Sequence, residues 1–277
     1  MTIKQILKNK LPKKELDLVP SSFDIIGNKD KAVAIIELDD KIKKKAKIIA
    51  NALMKKHKNV KSVLLKASPR SGIFRTRDYK IIGGSKNTEV MHVENGCRML
   101  LDPTTVYFSP RESTERQRIT ELVKRDEVVM VFFAGVGPFV VEIAKKSNPK
   151  NVLAIEINPI AVDYLIKNIK LNKLTNVEIL LGDVTEKSTQ FYGRCDRVLM
   201  PLPEKSIDYL QDAINCLKKG GICHFYCFSD EEKLDQWKTR LNHIAANMHR
   251  KIIFIGVQKV LPYGPRIWKY RIDFVVD

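Results

Sequence analysis

The sequence predicts an α/β protein in which a mostly parallel sheet, ending in an antiparallel C-terminal edge strand, follows a small α+β module. Three observations carry this. From Ser113 the chain alternates helical and apolar strand patterns, with strands near 128–132, 151–156, 177–181, 194–200 and 221–228, and such alternation builds a parallel sheet with covered faces. A glycine loop, Phe133-Ala134-Gly135-Val136-Gly137-Pro138-Phe139, joins the first of these strands to a helix over 139–146. After a polar helix from Asp230 to Met248, Ile252 to Val260 and Ile267 to Val276 pair as a hairpin through Leu261-Pro262-Tyr263-Gly264-Pro265.

The first hundred residues differ in texture. Strand patterns over 31–38 and 60–66 flank a basic helix from Asp40 to His57, and 88–94 with 97–101 form a hairpin around Asn95-Gly96, a favoured two-residue turn. The boundary is set after Leu101, giving a module over 1–101 and a larger domain over 102–277. With 277 residues and 44% apolar content the chain can fill both cores. No apolar run reaches membrane length, and Met1-Thr2-Ile3-Lys4 lacks a signal-peptide apolar region. A cytoplasmic protein without a membrane partner is expected.

Cys97, Cys195, Cys216, Cys223 and Cys227 form an odd set without a CxxC, so reduced thiols are expected and neither a disulfide framework nor a metal site. In Cys223-His224-Phe225-Tyr226-Cys227, strand alternation sends residues 223, 225 and 227 to one apolar face. His224, like His92, receives no chemistry on this reading. The formal net charge of +17 points to a polyanionic partner, with nucleic acid as the first candidate. Lysines spread over solvated helix faces are the competing explanation.

The glycine loop reads as a nucleoside-cofactor loop. Glu156 closes the next strand, where a carboxylate can bind both ribose hydroxyls, and Asp183 in Leu180-Leu181-Gly182-Asp183 stands at a third strand end, where it could accept from an adenine amine. A nicotinamide or flavin fingerprint wants a third glycine where Val140 stands, and Pro138 removes an amide donor that a pyrophosphate would use. S-adenosyl-L-methionine has no pyrophosphate and does not miss that donor. A GxG alone is weak, and an ordinary glycine turn with two solvated acids competes with this reading. Asp196-Arg197-Val198-Leu199-Met200-Pro201-Leu202-Pro203 runs a strand into a rigid loop, extended at Met200 and Leu202 by the prolines that follow them. Its carbonyls are available to a flat base, or the loop simply ends the strand.

Taken with Phe74-Arg75-Thr76-Arg77, His92-Val93-Glu94-Asn95-Gly96, Tyr107-Phe108-Ser109-Pro110-Arg111, Glu115-Arg116 and Glu156-Ile157-Asn158-Pro159, these segments make the chain resemble the archaeal and eukaryotic type of tRNA (guanine-37 N1)-methyltransferase, from about residue 60 onward. The resemblance implies a Rossmann-like class I methyltransferase sheet, an RNA-binding first module, S-adenosyl-L-methionine as cofactor and the tRNA anticodon stem-loop as partner of a monomer. It makes Glu115 the base that takes the guanine N1 proton, Arg75 the stabiliser of charge on O6, and Tyr107 a residue that orders the flipped nucleotide. Ser109, Arg116, Ala134, Gly135, Gly137, Phe139, Glu156, Ile157, Asp183, Val184 and Pro201 would meet the cofactor. Arg77, Arg111, Leu202 and Pro203 would meet the substrate. Without the resemblance, Glu115 reads as a helix-terminus charge, Arg75 and Arg77 as solvated phosphate contacts, and Tyr107 and Phe108 as core aromatics.

Two departures from the family pattern matter. Val131-Phe132 stands where an aspartate commonly precedes Phe-Ala-Gly. Pro201-Leu202-Pro203 stands where an asparagine is common, so the Pro201 carbonyl, or a neighbouring one, is expected to hold the guanine exocyclic amine. The chain also starts close to the first module, without room for the extra N-terminal domain that several members use on the tRNA elbow. That shortness leans toward the wybutosine-pathway aminocarboxypropyl transferases, which use the same cofactor. Glu115 and the proline loop lean toward methyl transfer. A tRNA-binding protein without catalysis is a third reading. Lys41, Lys43, Lys44, Lys45, Lys47, Lys55, Lys56 and Lys58 are candidate phosphate contacts that cannot all share one helix face.

Overall fold

A computed structural model of the chain describes Thr2 to Asp277. By contacts it divides into two compact units, 1–110 and 111–277. In the first unit, two short helices, α1 (Ile3–Leu7) and α2 (Lys13–Asp17), lead into β1 (Asp24–Gly27), β2 (Ala32–Ile36), α3 (Ala46–Lys56), β3 (Val60–Lys66) and β4 (Tyr79–Gly84). The strands lie in the order β1-β2-β3-β4, with β2 and β3 parallel around the α3 crossover and antiparallel neighbours on either side. A separate hairpin joins β5 (Val90–Glu94) to β6 (Cys97–Leu101), with Asn95 and Gly96 both at positive φ as a two-residue turn of this kind requires.

The expected helix from Asp40 is split. Asp39 caps a 3-10 segment over Asp40–Lys45, and the α-helix begins only at Ala46. Ile42 is the sole apolar side chain before Ala46, so the lysine run has no stripe to bury and cannot seat a full α-turn against the sheet. Ile49, Ala50 and Leu53 supply that stripe afterwards. Lys41, Lys43, Lys44, Lys47, Lys55, Lys56 and Lys58 are exposed, and Lys45 is half-buried beside Glu15.

The second unit runs α4 (Ser113–Leu122), β7 (Val128–Val131), α5 (Pro138–Lys146), β8 (Asn151–Glu156), α6 (Pro159–Leu171), β9 (Val177–Leu181), α7 (Val184–Lys187), β10 (Cys195–Met200), α8 (Leu210–Cys216), β11 (Leu217–Ser229), α9 (Leu234–Asn247), β12 (Ile252–Gly264) and β13 (Ile267–Val276). Its seven-stranded sheet has the order β12-β13-β11-β10-β7-β8-β9. The strands β7 to β11 are mutually parallel, and β13 lies antiparallel between β11 and the outermost β12. Cys223, Phe225 and Cys227 join Met130, Leu153, Val198 and the α8 and α9 side chains in one core. The other face of the sheet packs Val129, Val131 and Leu199 against α4, α5 and α6 through Ile119, Val140, Ile143 and Leu165. All five cysteines are buried, and none is in a disulfide.

Helix starts follow their local chemistry. Asn158 accepts from the Ile160 N–H ahead of Pro159, and Gly137 precedes Pro138 with φ +88°. A Cβ added at Gly137 would come within 2.2 Å of Leu165 Cδ1. Gly137→Ala is therefore expected to destabilise the second unit by about 1–3 kcal/mol, from overpacking added to left-handed strain. Urea unfolding followed by tryptophan fluorescence reads this unit alone, because Trp237 and Trp268 are the only tryptophans in the chain.

Candidate cofactor and proton-transfer site

The glycine loop is set by backbone geometry. Phe133, Gly135 and Gly137 all take positive φ, and the Gly137 N–H closes on the Ala134 carbonyl at 3.0 Å. Asn168 Nδ2 holds the Val136 carbonyl at 2.9 Å from the α6 side. Glu156, buried at the end of the adjacent strand, receives the Gly135 N–H on Oε2 at 2.7 Å and the Asn158 N–H on Oε1 at 2.8 Å. Burial pushes its pKa above the usual carboxylate value, against the pull of the backbone N–H groups of Asn158, Gly135 and Ile157. A carboxylate has about four acceptor sites, so acceptor capacity remains on Glu156 for a ribose hydroxyl. Ala134 and Phe139 are buried, and Ile157 is half-buried. Glu156 fastens the loop to the neighbouring strand through the Gly135 N–H.

Asp183 has a structural task that the sequence reading did not assign. Its Oδ1 caps α7, accepting from the Thr185 N–H at 2.8 Å and the Thr185 hydroxyl at 2.7 Å. Val184 beside it is buried. The Asp183 carboxylate and burial together push the Tyr209 phenol up, burial more strongly, and the Tyr209 ring meets Phe133 edge-on at 5.0 Å. In the proline loop, the Ser206 hydroxyl donates to the carbonyls of Met200 and Leu202 at 2.8 and 2.7 Å. The Pro201 carbonyl accepts from Lys269 Nζ at 3.4 Å, so the oxygen expected to hold a guanine amine already has an intramolecular donor. Pro201, Leu202 and Pro203 are half-buried.

Glu115 lies in the first turn of α4 and is 1% exposed. That excludes the solvated helix-terminus charge. Its Oε1 accepts from the Tyr226 hydroxyl at 2.7 Å and from Arg271 Nη1 at 2.6 Å, while Oε2 is buried without a hydrogen bond. Arg116 is buried on the same helix, and Arg111 is exposed ahead of it. Glu112 is buried too and takes Lys269 Nζ at 2.9 Å.

Sequence reasoning missed Tyr226, Lys269, Arg271 and Asp273, and set His224 aside. The signal was there in Lys269, Arg271 and Asp273, charged residues at every second position of a strand otherwise rich in aromatic and β-branched residues.

In the first unit, Arg75, Arg77 and Tyr107 line one small concavity with Arg70, Tyr79 and Phe108. Arg70 stacks over the Tyr107 ring at 4.2 Å, Arg75 takes φ +53°, and Arg77 Nε is buried without a hydrogen bond. Tyr107 is 37% exposed, so it is no core aromatic, whereas Phe108 is buried against His92. Ser109 is half-buried nearby in sequence.

The sheet order, the glycine loop and the strand-end glutamate define a Rossmann-like transferase domain that binds a nucleoside cofactor. The chain belongs to the TRM5/TYW2 methyltransferase family. The TRM5/TYW2 methyltransferase domain matches residues 90–253, and the TYW2 N-terminal domain matches residues 3–88. The chain is 42% identical over 268 residues to the tRNA (guanine(37)-N(1))-methyltransferase Trm5b of Pyrococcus abyssi, covering 96% of this chain and 78% of that protein. The Trm5b crystal structure superposes with a TM-score of 0.86 at 41% identity, over 97% of this chain and 78% of that one. The chain is also 36% identical to the tRNA(Phe) (4-demethylwyosine(37)-C(7)) aminocarboxypropyltransferase of Methanocaldococcus jannaschii, over 79% of this chain and 87% of that protein. The structure of Pyrococcus horikoshii TYW2 in complex with MeSAdo superposes with a TM-score of 0.83 at 28% identity, over 99% of this chain and 97% of that one.

Glu156→Ala is expected to weaken S-adenosylmethionine binding about 10–100-fold, the scale of charge-assisted hydrogen bonds, with little change in tRNA affinity. The raised Glu156 pKa sets a sign for pH as well. Protonation turns one acceptor into a donor and begins at higher pH than for a surface glutamate, so cofactor affinity falls as pH is lowered through that raised value. Isothermal titration calorimetry across the acidic range checks both statements.

Proposed function

We propose that the protein methylates N1 of guanine at tRNA position 37, beside the anticodon, using S-adenosylmethionine. The observation that carries this reading is Glu115, a buried carboxylate with one oxygen tied by two donors and the other without a hydrogen bond. Membership of the family and the 42% identity to a guanine-37 N1-methyltransferase support the same substrate.

Neutral guanine carries a proton on N1, so N1 becomes a nucleophile only as that proton leaves and negative charge moves onto O6. Glu115 takes the proton, acting as general base. Arg75 carries the O6 charge, Tyr107 orders the displaced base, and Arg77 and Arg111 take phosphates of the anticodon stem-loop. When bound, the cofactor supplies an electrophilic methyl on sulfonium sulfur, with Glu156 on its ribose and the 134–139 loop along its chain. Arg116, Ser109, Ile157, Asp183, Val184 and Pro201 complete the cofactor contacts, with Asp183 contributing the oxygen that the helix cap leaves over. Leu202 and Pro203 border the base. The N1–methyl bond forms as the sulfur–methyl bond breaks, and the proton stays on Glu115. The first unit, up to Pro110 rather than the expected Leu101, is the tRNA-binding module, and the unit from Arg111 onward is the catalytic domain.

A second reading has an observation of its own. The first module matches the TYW2 N-terminal domain, and the chain is 36% identical to an aminocarboxypropyltransferase, although the Trm5b relative spans the same module. Mass spectrometry of nucleosides after incubating the protein with cofactor and unmodified tRNA transcript decides between them, and a gain of one methyl on guanine is expected. Glu115→Gln is expected to keep cofactor affinity and lower single-turnover methylation about 10²–10⁴-fold, the usual scale of general-base catalysis. Unchanged turnover would remove Glu115 from the reaction. With a net charge of +17, tRNA affinity should fall steeply as salt rises, by counterion release. Filter binding between 50 and 200 mM salt, roughly the range over which such losses are measured, checks this.

A further inference from the structure

Glu115 is one end of a continuous buried chain of polar groups. Tyr226 and Arg271 stand directly opposite each other across β11 and β13, and both donate to Glu115 Oε1. Arg271 Nε also donates to both oxygens of Asp273, at 2.8 and 3.0 Å. Asp273 stands opposite His224 in the same ladder and meets its Nδ1 at 2.6 Å. His224 Nε2 lies 2.6 Å from Arg197 Nη1, and Arg197 places Nε and Nη2 on the two oxygens of Glu127 at 2.8 and 3.0 Å. Arg197 Nη2 reaches the Leu122 carbonyl, at the end of α4, at 2.8 Å.

The protons on this chain follow from its donors. An arginine only donates, so His224 Nε2 accepts and Nδ1 carries the proton toward Asp273. Burial pushes His224 down, against the upward pull of the Asp273 carboxylate and with the Arg197 and Arg271 charges adding smaller downward pushes. The imidazole is thus neutral at physiological pH. Burial, the larger influence, and the Glu115 carboxylate push the Tyr226 phenol well up, so it stays a donor. The chain holds its protons in place and works by geometry.

Charged or titratable groups that face Glu115 include Arg118 on its own helix, Tyr226 on β11, and Arg271, itself paired with Asp273, on β13. Arg118 Nη1 is 3.8 Å from Oε2, but its side chain is 43% exposed and makes no hydrogen bond there.

We infer that Tyr226 and Arg271 are positioning residues that immobilise Oε1 of Glu115 and reserve Oε2 as the atom that takes the substrate proton, with Asp273, His224, Arg197 and Glu127 bracing Arg271. The inference rests on the reading of Glu115 as the base. A carboxylate free to rotate presents either oxygen in many directions, whereas one fixed at Oε1 offers its remaining lone pairs in a defined direction. Misplacement of a reacting group by about 1 Å can cost on the order of 10²-fold in rate.

The test uses the full chain, unmodified tRNA transcript and S-adenosylmethionine. Tyr226→Phe keeps the ring packed against Phe139 and under Lys269, and removes only the hydroxyl. Its single-turnover rate with both substrates saturating is expected to fall about 10–100-fold, as a misplaced base would, with dissociation constants for cofactor and tRNA within about two-fold of the parent. Arg271→Met should lose more and Arg271→Lys should recover part of it. An unchanged rate in Tyr226→Phe overturns the proposal. So does a loss confined to substrate affinity, which is what a merely structural role would give. Glu115→Gln is measured alongside. If it stays active the base reading falls, whereas an inactive Glu115→Gln beside a fully active Tyr226→Phe sinks the positioning role alone.

Discussion

The second unit depends on Arg271, a buried guanidinium shared between Asp273 on its own strand and Glu115 on α4. Removing water from an ion is costly, and an interior pair is tolerated only where geometry and hydrogen bonds cancel the charge locally. Glu112, Glu115, Asp273, Arg197, Lys269 and Arg271 are all below 10% exposure, so each constrains its neighbour. A one-residue slip of β13 along β11 would turn its charged residues into the core of Cys223, Phe225 and Cys227. The buried charges therefore fix the strand register in addition to serving the site.

The antiparallel direction of β13 puts these charges where they are useful. Ligands of open α/β sheets gather beyond the carboxyl ends of the parallel strands. Because β13 runs the other way, its first residues lie beside the last residues of β11, with Trp268 opposite Ser229 and Arg271 opposite Tyr226. Lys269 then reaches Glu112, just ahead of α4, and the carbonyl of Pro201 in the loop after β10. One strand thus holds both the entry to α4 and the proline loop. The glycine loop is held separately, by Glu156 from the neighbouring strand.

Local chemistry was legible in the sequence, and long-range chemistry was not. The alternation from Ser113, the glycine loop with Glu156 and the Asn95-Gly96 turn each rest on residues close in sequence, and each occupies its expected place. The strand Asp24–Gly27 and the strand Tyr79–Gly84 were not read, because one is only four residues long and the other ends on two glycines. Asp183 carried two meanings at once, since an aspartate before Val184-Thr185-Glu186 is as good a helix cap as an adenine acceptor. The clamp was hidden for a different reason. Tyr226 is 111 residues from Glu115 in the chain and Arg271 is 156, so no window of sequence contains the contact.

The arrangement of charge along the chain gives Glu115 its chemical character. At the far end Arg197 and Glu127 form a two-point pair that cancels itself. His224 in the middle is neutral, so it carries a hydrogen bond without adding charge. Arg271 is left to serve two carboxylates, and it gives Asp273 two contacts and Glu115 one. Tyr226 adds a hydrogen bond to Glu115 but no positive charge. Glu115 thus takes one hydrogen bond from Arg271 and one from Tyr226 on Oε1, while Oε2 has the Arg118 guanidinium at 3.8 Å and no hydrogen bond. The ion chain that fixes the strand register is thus the same one that holds Oε1 of Glu115 and leaves Oε2 without a hydrogen bond.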